Sequence, residues 1–164
     1  MIILDNTALS ALAHIDRLDI PTRLFGETHI PECVYYEGVL KAAKSKRVDR
    51  IINCVEKGLI TVIKPGQKDI EYAESLPTTL GPGERYAIAI GISEKCLVAT
   101  DDLKPRKMAK ELGLDIIGTL GILRLAHKRN LIDKSELRQS VEMLHEILYF
   151  TDELEKWVLS DITA

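Results

Sequence analysis

Short apolar runs that alternate with helical segments constrain the fold of this chain more than any other feature of its sequence. Residues 1–4 and 97–99 are apolar runs of the length expected for buried strands, and amphipathic helical patterns separate such runs throughout the chain. Strands joined by helices pair in parallel through right-handed crossovers. The sequence therefore predicts an α/β fold, a three-layer α/β/α sandwich around a central, mainly parallel sheet.

Capping residues and helix breakers predict where the elements begin and end. Gly26, Gly58 and Gly113 each follow a helical pattern, Pro82 suits the first turn of a helix, and Asp133 with a glutamate three residues later resembles a capping box. The predicted strands cover residues 1–4, 28–30, 59–63, 96–100 and 115–117. The predicted helices cover residues 7–14, 18–25, 33–43, 46–57, 68–75, 83–91, 103–112, 119–128, 134–148 and 152–159.

Length and composition favour one domain over residues 1–164, with C-terminal helices in residues 134–159 packed on it. The chain has 164 residues, of which 46% are hydrophobic, so it can bury a substantial core. No apolar run is long enough to span a membrane, and Asp5 interrupts the N-terminal run, so we expect neither a membrane span nor a signal peptide. We therefore expect a cytoplasmic protein. The three cysteines are scattered, which favours buried thiols over a zinc site or a disulfide framework.

Charge alone does not indicate nucleic-acid binding, because 22 basic residues are balanced by 25 acidic ones. Basic residues are nevertheless concentrated in two segments, Lys41, Lys44, Lys46, Arg47 and Arg50, and Lys104, Arg106, Lys107 and Lys110. Solvated helix faces explain such clusters in many proteins. The second cluster carries more weight because it directly follows a pair of acids.

Five carboxylates are placed where the predicted fold brings elements to one edge of the sheet: Asp5, Glu37, Glu84, Asp101 and Asp102. Asp5 and Asp101 close strands, and in open α/β sheets ligands bind at the carboxyl ends of the strands. Acids gathered there repel one another unless a cation lies between them. Each acid also has a structural explanation, either capping, the helix dipole or a salt bridge. If no cation binds, a separate structural explanation is needed for each of the five acids at the same edge of the sheet, whereas a bound cation would explain them together.

The acids suit a hard divalent cation such as Mg²⁺, which binds carboxylates and water. One or two such ions could activate a water molecule and neutralise the charge that develops at a phosphate, without a covalent nucleophile. The chain contains no GxSxG, Walker A or HExxH pattern. Its histidines, His14, His29, His127 and His145, are isolated and read as surface or packing residues.

Several short motifs, in order, resemble those of PIN-domain proteins. The matching pieces are ILDNT at residues 3–7, IPECVYYE at 30–37, GERYAIA at 83–89 and LVATDD at 97–102. The runs RKMAKELGL at 106–114 and GTLGIL at 118–123 resemble a prokaryotic branch described as predicted nucleic-acid-binding. PIN domains are a family of metal-dependent ribonucleases that includes the toxins of many prokaryotic toxin–antitoxin pairs.

The resemblance implies a role for each matching residue. It implies metal binding and catalysis by Asp5, Glu37, Glu84 and Asp101, with Asp102 as an outer ligand or a substitute. It implies that the hydroxyls of Thr7 and Thr100 orient the ligating acids. The chain departs from the commonest toxin pattern in having Glu84 where an Asp is usual, and Asn6 where Thr or Ser is usual.

The leading hypothesis is an endoribonuclease that uses Mg²⁺ or Mn²⁺ and cuts single-stranded RNA. One biological role consistent with this activity is that of the toxin in a toxin–antitoxin pair. The phosphates flanking the cut would be bound by Arg85, Lys104, Arg106 and Lys107, which would make the affinity depend on salt. The sequence leaves open whether RNA or DNA is cut, and whether one or two ions bind.

Two alternatives use the same acids differently. In the first, the chain is a PIN-like module with weak or no catalysis that binds nucleic acid or a protein. In the second, it is a receiver-like domain, although the acid pair at residues 101–102 comes late in the chain for that class. The resemblance also implies a homodimer, for which the face of residues 46–57 with Ile51, Ile52 and Val55 is available unless it packs on the core, and, for a toxin, a small antitoxin partner.

Overall fold

A five-stranded parallel sheet forms the centre of the molecule in the computed structural model, which describes residues 1–160. The predicted domain extends to residue 164, and its last four residues lie outside the described part. The strand order is β3-β2-β1-β4-β5. The strands are β1 (Ile2–Leu4), β2 (Thr28–Pro31), β3 (Thr61–Ile63), β4 (Leu97–Ala99) and β5 (Ile116–Ile117).

Helices connect and flank these strands. They are α1 (Asn6–His14), α2 (Asp19–Phe25), α3 (Glu32–Tyr35), α4 (Lys46–Glu56), α5 (Gln67–Ser75), α6 (Pro82–Glu94), α7 (Leu103–Glu111), α8 (Thr119–Lys128), α9 (Lys134–Leu144) and α10 (Asp152–Leu159). A short π-helix, Tyr36–Leu40, continues α3. The predicted α/β/α sandwich is confirmed, and the described strand pairs are all parallel. Among residues 1–160, no helix combines the length and apolar character needed to cross a bilayer.

The central strands are short and are buried on both faces. Ile2 and Leu4 of β1 pack with the cluster that includes α1, α2, α4 and α8, whereas Ile3 packs with Val98 and with Ala87 and Ile90 of α6. Alternation of side chains along a strand places successive residues on opposite faces of the sheet. An apolar residue is therefore needed at every position of the strand, as the sequence pattern indicated.

The strand order creates a switch point between β1 and β4. From β1 the chain builds the sheet outward through β2 and β3, and it then returns to the other side of β1 with β4 and β5. Leu4 pairs with Ala99, and Ala99 pairs with Ile117, so the carboxyl ends of β1, β4 and β5 lie level with one another. A crevice outside the strand ends is expected at such a point.

Two predicted helices are shorter in the structure. The helix predicted over residues 33–43 ends at Leu40, and its last turns are a π-helix in which the Lys41 amide donates to the Tyr36 carbonyl. The helix predicted over 134–148 ends at Leu144, so Leu148 lies in the connection to α10 rather than on the helix face.

The C-terminal helices and α4 pack on the rest of the chain. Leu137, Leu144 and Val158 join the same buried cluster as β1 and α1. Ile51 of α4 is buried in that cluster, with Ile52 and Val55 packed against it. The apolar face of α4 is thus used within the chain, which removes the main support for a dimer formed through it.

Candidate active site at the strand ends

Asp5 is the most buried acid at the switch point. It is 1% exposed, and its Oδ1 accepts hydrogen bonds from the Thr7 hydroxyl at 2.7 Å and from the Ala8 amide at 3.0 Å, which makes it the N-cap of α1. Its Oδ2 is buried and has no hydrogen-bond partner. Burial is the main reason that the pKa of the Asp5 carboxyl is raised to about 6; the charge of Asp101 also raises it, and the Ala8 amide and the Thr100 and Thr7 hydroxyls lower it.

The Thr7 and Thr100 hydroxyls join the ends of β1 and β4. Thr7 donates to Asp5 and accepts a hydrogen bond from the Asp101 amide at 3.0 Å. Thr100 is buried, its hydroxyl lies 3.5 Å from that of Thr7, and it accepts from the Asp102 amide at 3.4 Å. These contacts hold the backbone that carries Asp101 and Asp102 at a fixed distance from Asp5.

Both carboxylate oxygens of Asp101 are engaged by Thr119, at the start of α8. The Thr119 amide donates to Oδ1 at 2.7 Å, and the Thr119 hydroxyl donates to Oδ2 at 2.6 Å. Burial raises the pKa of Asp101, while Thr119 and the nearby Arg106 act in the opposite direction. A Cβ at residue 118 would lie 2.7 Å from Arg106 Nη1 and 3.2 Å from Asp101 Oδ1, so a larger residue there would displace the Arg106 side chain and crowd Asp101.

Glu84 and Asp102 lie beside one another near Asp5. Glu84 is the third residue of α6, and its Oε2 accepts a hydrogen bond from the Gly81 amide at 2.8 Å. This contact caps the N-terminus of the helix. Burial raises the pKa of Glu84, and so do Asp102, through contact and charge, and the charge of Asp5, whereas the Gly81 amide lowers it. Asp102 stands at the N-cap position of α7 without capping it. Its side chain is therefore not committed to holding the helix.

Glu37 lies on the π-helix, and Asn6 links it to the strand ends. The Asn6 side-chain amide donates to Glu37 Oε2 at 2.8 Å. The same amide lies beside Gly83, where a Cβ would approach both Asn6 Nδ2 and Val34 Cγ2 to 3.1 Å. Asn6 thus fills the space between α1, α6 and the π-helix, and Glu37 itself is exposed.

The four predicted phosphate-binding residues occupy different environments. Lys104, Arg106 and Lys107 are exposed on α7, and Arg106 is near enough to Asp101 to lower its pKa. Arg85 is only partly exposed, its Nε is buried without a partner, and its charge lowers the pKa of Cys33. Arg85 therefore points its chain into the protein near Cys33, unlike the α7 residues.

The predicted acids surround one edge of the sheet without forming a closed cage. Among residues 1–160, no three Asp, Glu, His or Cys side chains are arranged around one point as a metal site requires. The donor set nevertheless fits a hard cation. Asp5 Oδ2 is a buried oxygen without a donor, and the pKa of Glu84 is raised by contact with Asp102 and by the charge of Asp5. A cation would relieve both, because it favours the ionised carboxylates.

Comparison with known proteins decides the family. A family model described as PIN domain matches residues 1–163. The chain belongs to the PIN-domain family. PIN domains are generally nucleases and typically use divalent metal ions. No curated protein matches this PIN domain, and no solved structure does.

Two residues of this PIN-domain site were missed by sequence reasoning, Asn6 and Thr119. Asn6 was noted only as a departure from the toxin pattern, although a side chain with both a donor and an acceptor next to Asp5 suits a contact with a neighbouring acid. Thr119 follows β5 at the same sheet edge as Asp101. A hydroxyl residue two positions after the end of a third strand was the available signal for it.

Proposed function

We propose that this PIN domain is a metal-dependent endoribonuclease whose ion is held by Asp5, Glu84 and Asp102. The observation that carries the proposal is the Oδ2 of Asp5, which is buried without a hydrogen-bond partner. The charge of Asp5 acts on Glu84, and Glu84 contacts Asp102. Asp102 is preferred over Asp101 as a direct ligand because Thr119 occupies both oxygens of Asp101. Glu37, held by Asn6, lies at the rim of the same edge.

The residues of the chain perform distinct tasks in this proposal. Mg²⁺ or Mn²⁺, when bound, supplies a Lewis acid that activates water and stabilises charge at the phosphate. Thr7 fixes the Asp5 carboxylate, and the Thr7 contact with the Asp101 amide keeps the β4 end in place. Lys104, Arg106 and Lys107 bind phosphates on either side of the cut, and the family membership favours RNA as the polymer.

Cleavage of a panel of single-stranded RNAs in the presence of Mg²⁺ or Mn²⁺ tests the proposal. We expect Asp5→Asn, Glu84→Gln and Asp102→Asn each to lower the cleavage rate by about 100-fold or more. Asp101→Asn should lower it less, because the Thr119 contacts mainly position that residue. If wild type and the Asp5 and Asp102 variants cleave alike, the assigned site is wrong.

A matched control separates the charge of Glu84 from its capping role. Asp69 closes the start of α5 as Glu84 closes that of α6, since its Oδ2 accepts from the Gly66 amide at 2.9 Å. Asp69→Asn and Glu84→Gln both keep an acceptor oxygen for the cap. Only Glu84→Gln should reduce cleavage, so equal losses in the two variants would contradict a specific role for Glu84.

A second function, binding without cleavage, is favoured by one observation. The acids in the described residues do not form a ready-made metal cage. A PIN domain with this arrangement could retain RNA and fail to cut it. Binding of RNA without cleavage in either metal would support this second function over the first.

The cellular setting is a separate part of the proposal. Membership of the PIN family supports a toxin paired with a small antitoxin, acting in the cytoplasm, and homodimer formation is common for proteins of this size. Ile51 of α4 is buried in the core and Ile52 and Val55 are partly buried against it, so α4 offers little apolar surface to a second copy. Coexpression with the product of an adjacent small gene, followed by size measurement, tests both partners.

A further inference from the structure

An aromatic cleft lies next to the candidate active site, and its aromatic residues play no part in the proposed chemistry. It has a volume of about 500 Å³ and lies between the C-terminal segment and the β5 edge of the sheet. Its C-terminal wall is formed by Leu148, Tyr149, Phe150, Leu154 and Trp157. Its volume falls within the range of pockets that hold small organic groups.

The chain concentrates its few aromatic residues in this wall. Only eight of its residues are Phe, Tyr or Trp, and three of them, including the single Trp, line the cleft. Aliphatic residues dominate the core elsewhere. Aromatic rings on an accessible wall provide flat surfaces on which a planar group can stack.

Two of the rings are held in place by neighbouring side chains. The Arg124 guanidinium lies 4.3 Å from the centre of the Trp157 ring, and Val158 anchors α10 in the core. The Phe150 ring stacks on His145, with centres 4.3 Å apart. Trp157 is nevertheless 44% exposed. The wall is thus preorganised, which reduces the entropy lost when a ligand stacks on it.

Tyr149 differs from these two because it contributes nothing to the core. It is 96% exposed, at the rim of the cleft, in the connection between α9 and α10. Folding therefore gives no reason for a large aromatic residue at this position. A ring on the rim can cover the outer face of a group that has entered the cleft.

The charged side chains in and beside the cleft indicate which kind of planar group it would bind. The charged residues lining the cleft are Asp101, which is engaged by Thr119, and Arg106. Arg106 also lines the adjoining groove along α7, together with Lys107, Lys110 and Asp115. A row of cations beside an aromatic wall matches a polymer with anionic phosphates and planar bases. Two acids of α10, Asp152 and Glu155, line a separate depression rather than the cleft.

We propose that this aromatic cleft binds an unstacked nucleobase of single-stranded RNA while the basic residues of α7 bind its phosphates. The proposal rests on the proposed function, since it names how the substrate of that site is held. Asp101 lines the cleft and also closes β4 at the candidate active site, so one strand can contact both. Double-stranded RNA keeps its bases stacked and would be excluded from the cleft.

Trp157 provides the test, because its fluorescence is the only tryptophan signal of the chain. Metal-free protein in EDTA is titrated with a 2′-O-methyl RNA oligomer of about eight nucleotides, within the usual site sizes for single strands. A matched abasic oligomer has the same phosphates without bases. We expect saturable quenching by the first oligomer and weaker binding without quenching by the second.

Tyr149→Ala should weaken binding of the base-containing oligomer by about 5- to 100-fold and leave the abasic oligomer unaffected. Leu40→Ala is the matched control, because Leu40 is a 65% exposed apolar residue on the π-helix, outside the cleft. Its binding should equal that of wild type. Equal binding of the two oligomers, or unchanged affinity in Tyr149→Ala, would overturn the proposal.

A protein occupant gives a different result. If the Trp157 signal changes with protein concentration and not with oligomer, a second copy covers the cleft and the proposal is wrong. The nuclease proposal and the cleft proposal can fail independently. Quenching of Trp157 without RNA cleavage in any metal would contradict the nuclease proposal and support base binding in the cleft. RNA cleavage that is unaffected by Tyr149→Ala would support the nuclease proposal and contradict base binding in the cleft.

Discussion

Asp5 combines a structural and a chemical role on two different oxygen atoms. Oδ1 caps α1 through the Ala8 amide and accepts from Thr7, while Oδ2 is buried without a donor. Aspartate is a good N-cap, but asparagine caps equally well and carries no charge. The cap therefore does not require a carboxylate. An ionised group at this buried position destabilises the metal-free protein, which is expected of a residue selected to bind a cation.

The pKa of Asp5 predicts how stability depends on pH. Burial raises this pKa from 3.8 to about 6, so between these values the folded state holds a proton that the unfolded state has lost. The Asp5 contribution to stability is then present below about pH 4 and is lost as pH rises through 6, by about 3 kcal/mol in all. Asp5→Asn removes this dependence.

The prediction concerns the difference between Asp5→Asn and wild type. Urea unfolding in EDTA gives the free energy of unfolding of both proteins. Relative to wild type, Asp5→Asn should become more stable by about 2 kcal/mol between pH 4 and pH 7. Titrating groups away from the site cancel in this difference, whereas Glu84 and Asp101 interact with Asp5 and contribute their own smaller changes. Asp5→Ala, which also lacks the cap, should be about 1 kcal/mol less stable than Asp5→Asn at every pH. A difference between wild type and Asp5→Asn that does not change with pH would contradict the account.

Some site residues could be identified from the sequence and others could not, for physical reasons. Asp5 follows an apolar strand, which by itself places it at the sheet edge. The pairing of Asp101 with Thr119 joins residues that are distant in the chain and depends on β4 and β5 being neighbours. The choice between Asp101 and Asp102 depends on which of two adjacent side chains Thr119 captures. A one-dimensional pattern does not contain that information.

At the scale of elements, α6 approaches the sheet through a glycine. A Cβ at Gly91 would overlap Val98 Cγ2 on β4 and lie 3.3 Å from Leu114 Cδ2. Val98 is buried and belongs to a paired strand, so it cannot move aside. The close approach lets α6 bring Glu84 to the strand ends. Gly91 therefore supports the site from the far end of its helix.

Gly91→Ala is predicted to destabilise the protein. Alanine would favour the helix by about 1 kcal/mol, but crowding in a packed core costs about 1–3 kcal/mol, and here the overlap is with an immobile side chain. Thermal or urea unfolding measures the net loss. The double variant Gly91→Ala with Val98→Ala should lose less than the sum of the two single variants. Stabilisation by Gly91→Ala alone would contradict the packing described.

Element boundaries were predictable where a local signal marks them. Asp133 and Glu136 form the predicted capping box at the start of α9, and Pro82 opens α6. The π-helix that carries Glu37 was not predictable, because its wider hydrogen-bonding turns have no distinct apolar period in so short a segment. The order of the strands in the sheet could not be predicted either, because strands of two to four residues are too short for their sequences to specify which strands pair.

At the scale of the whole molecule, the strand order separates two kinds of surface. The acids gather at the switch point between β1 and β4, whereas α7 carries a basic face beside the β5 edge. A net charge of −3 conceals this division. A strand of RNA could lie across both surfaces, with one phosphate at the acids and its neighbours on α7. The charge balance of the chain therefore gives no argument against a nucleic-acid substrate.

Titration of the metal-free protein with Mn²⁺ near neutral pH, followed by calorimetry, tests the central claim most directly. The account predicts binding by wild type and by Asp69→Asn, and affinity lower by at least about 10- to 100-fold in Asp5→Asn, Glu84→Gln and Asp102→Asn. Binding should weaken as the pH falls toward 6, because protons then compete for Asp5. Absence of Mn²⁺ binding by wild type, or equal binding by all five proteins, would contradict it.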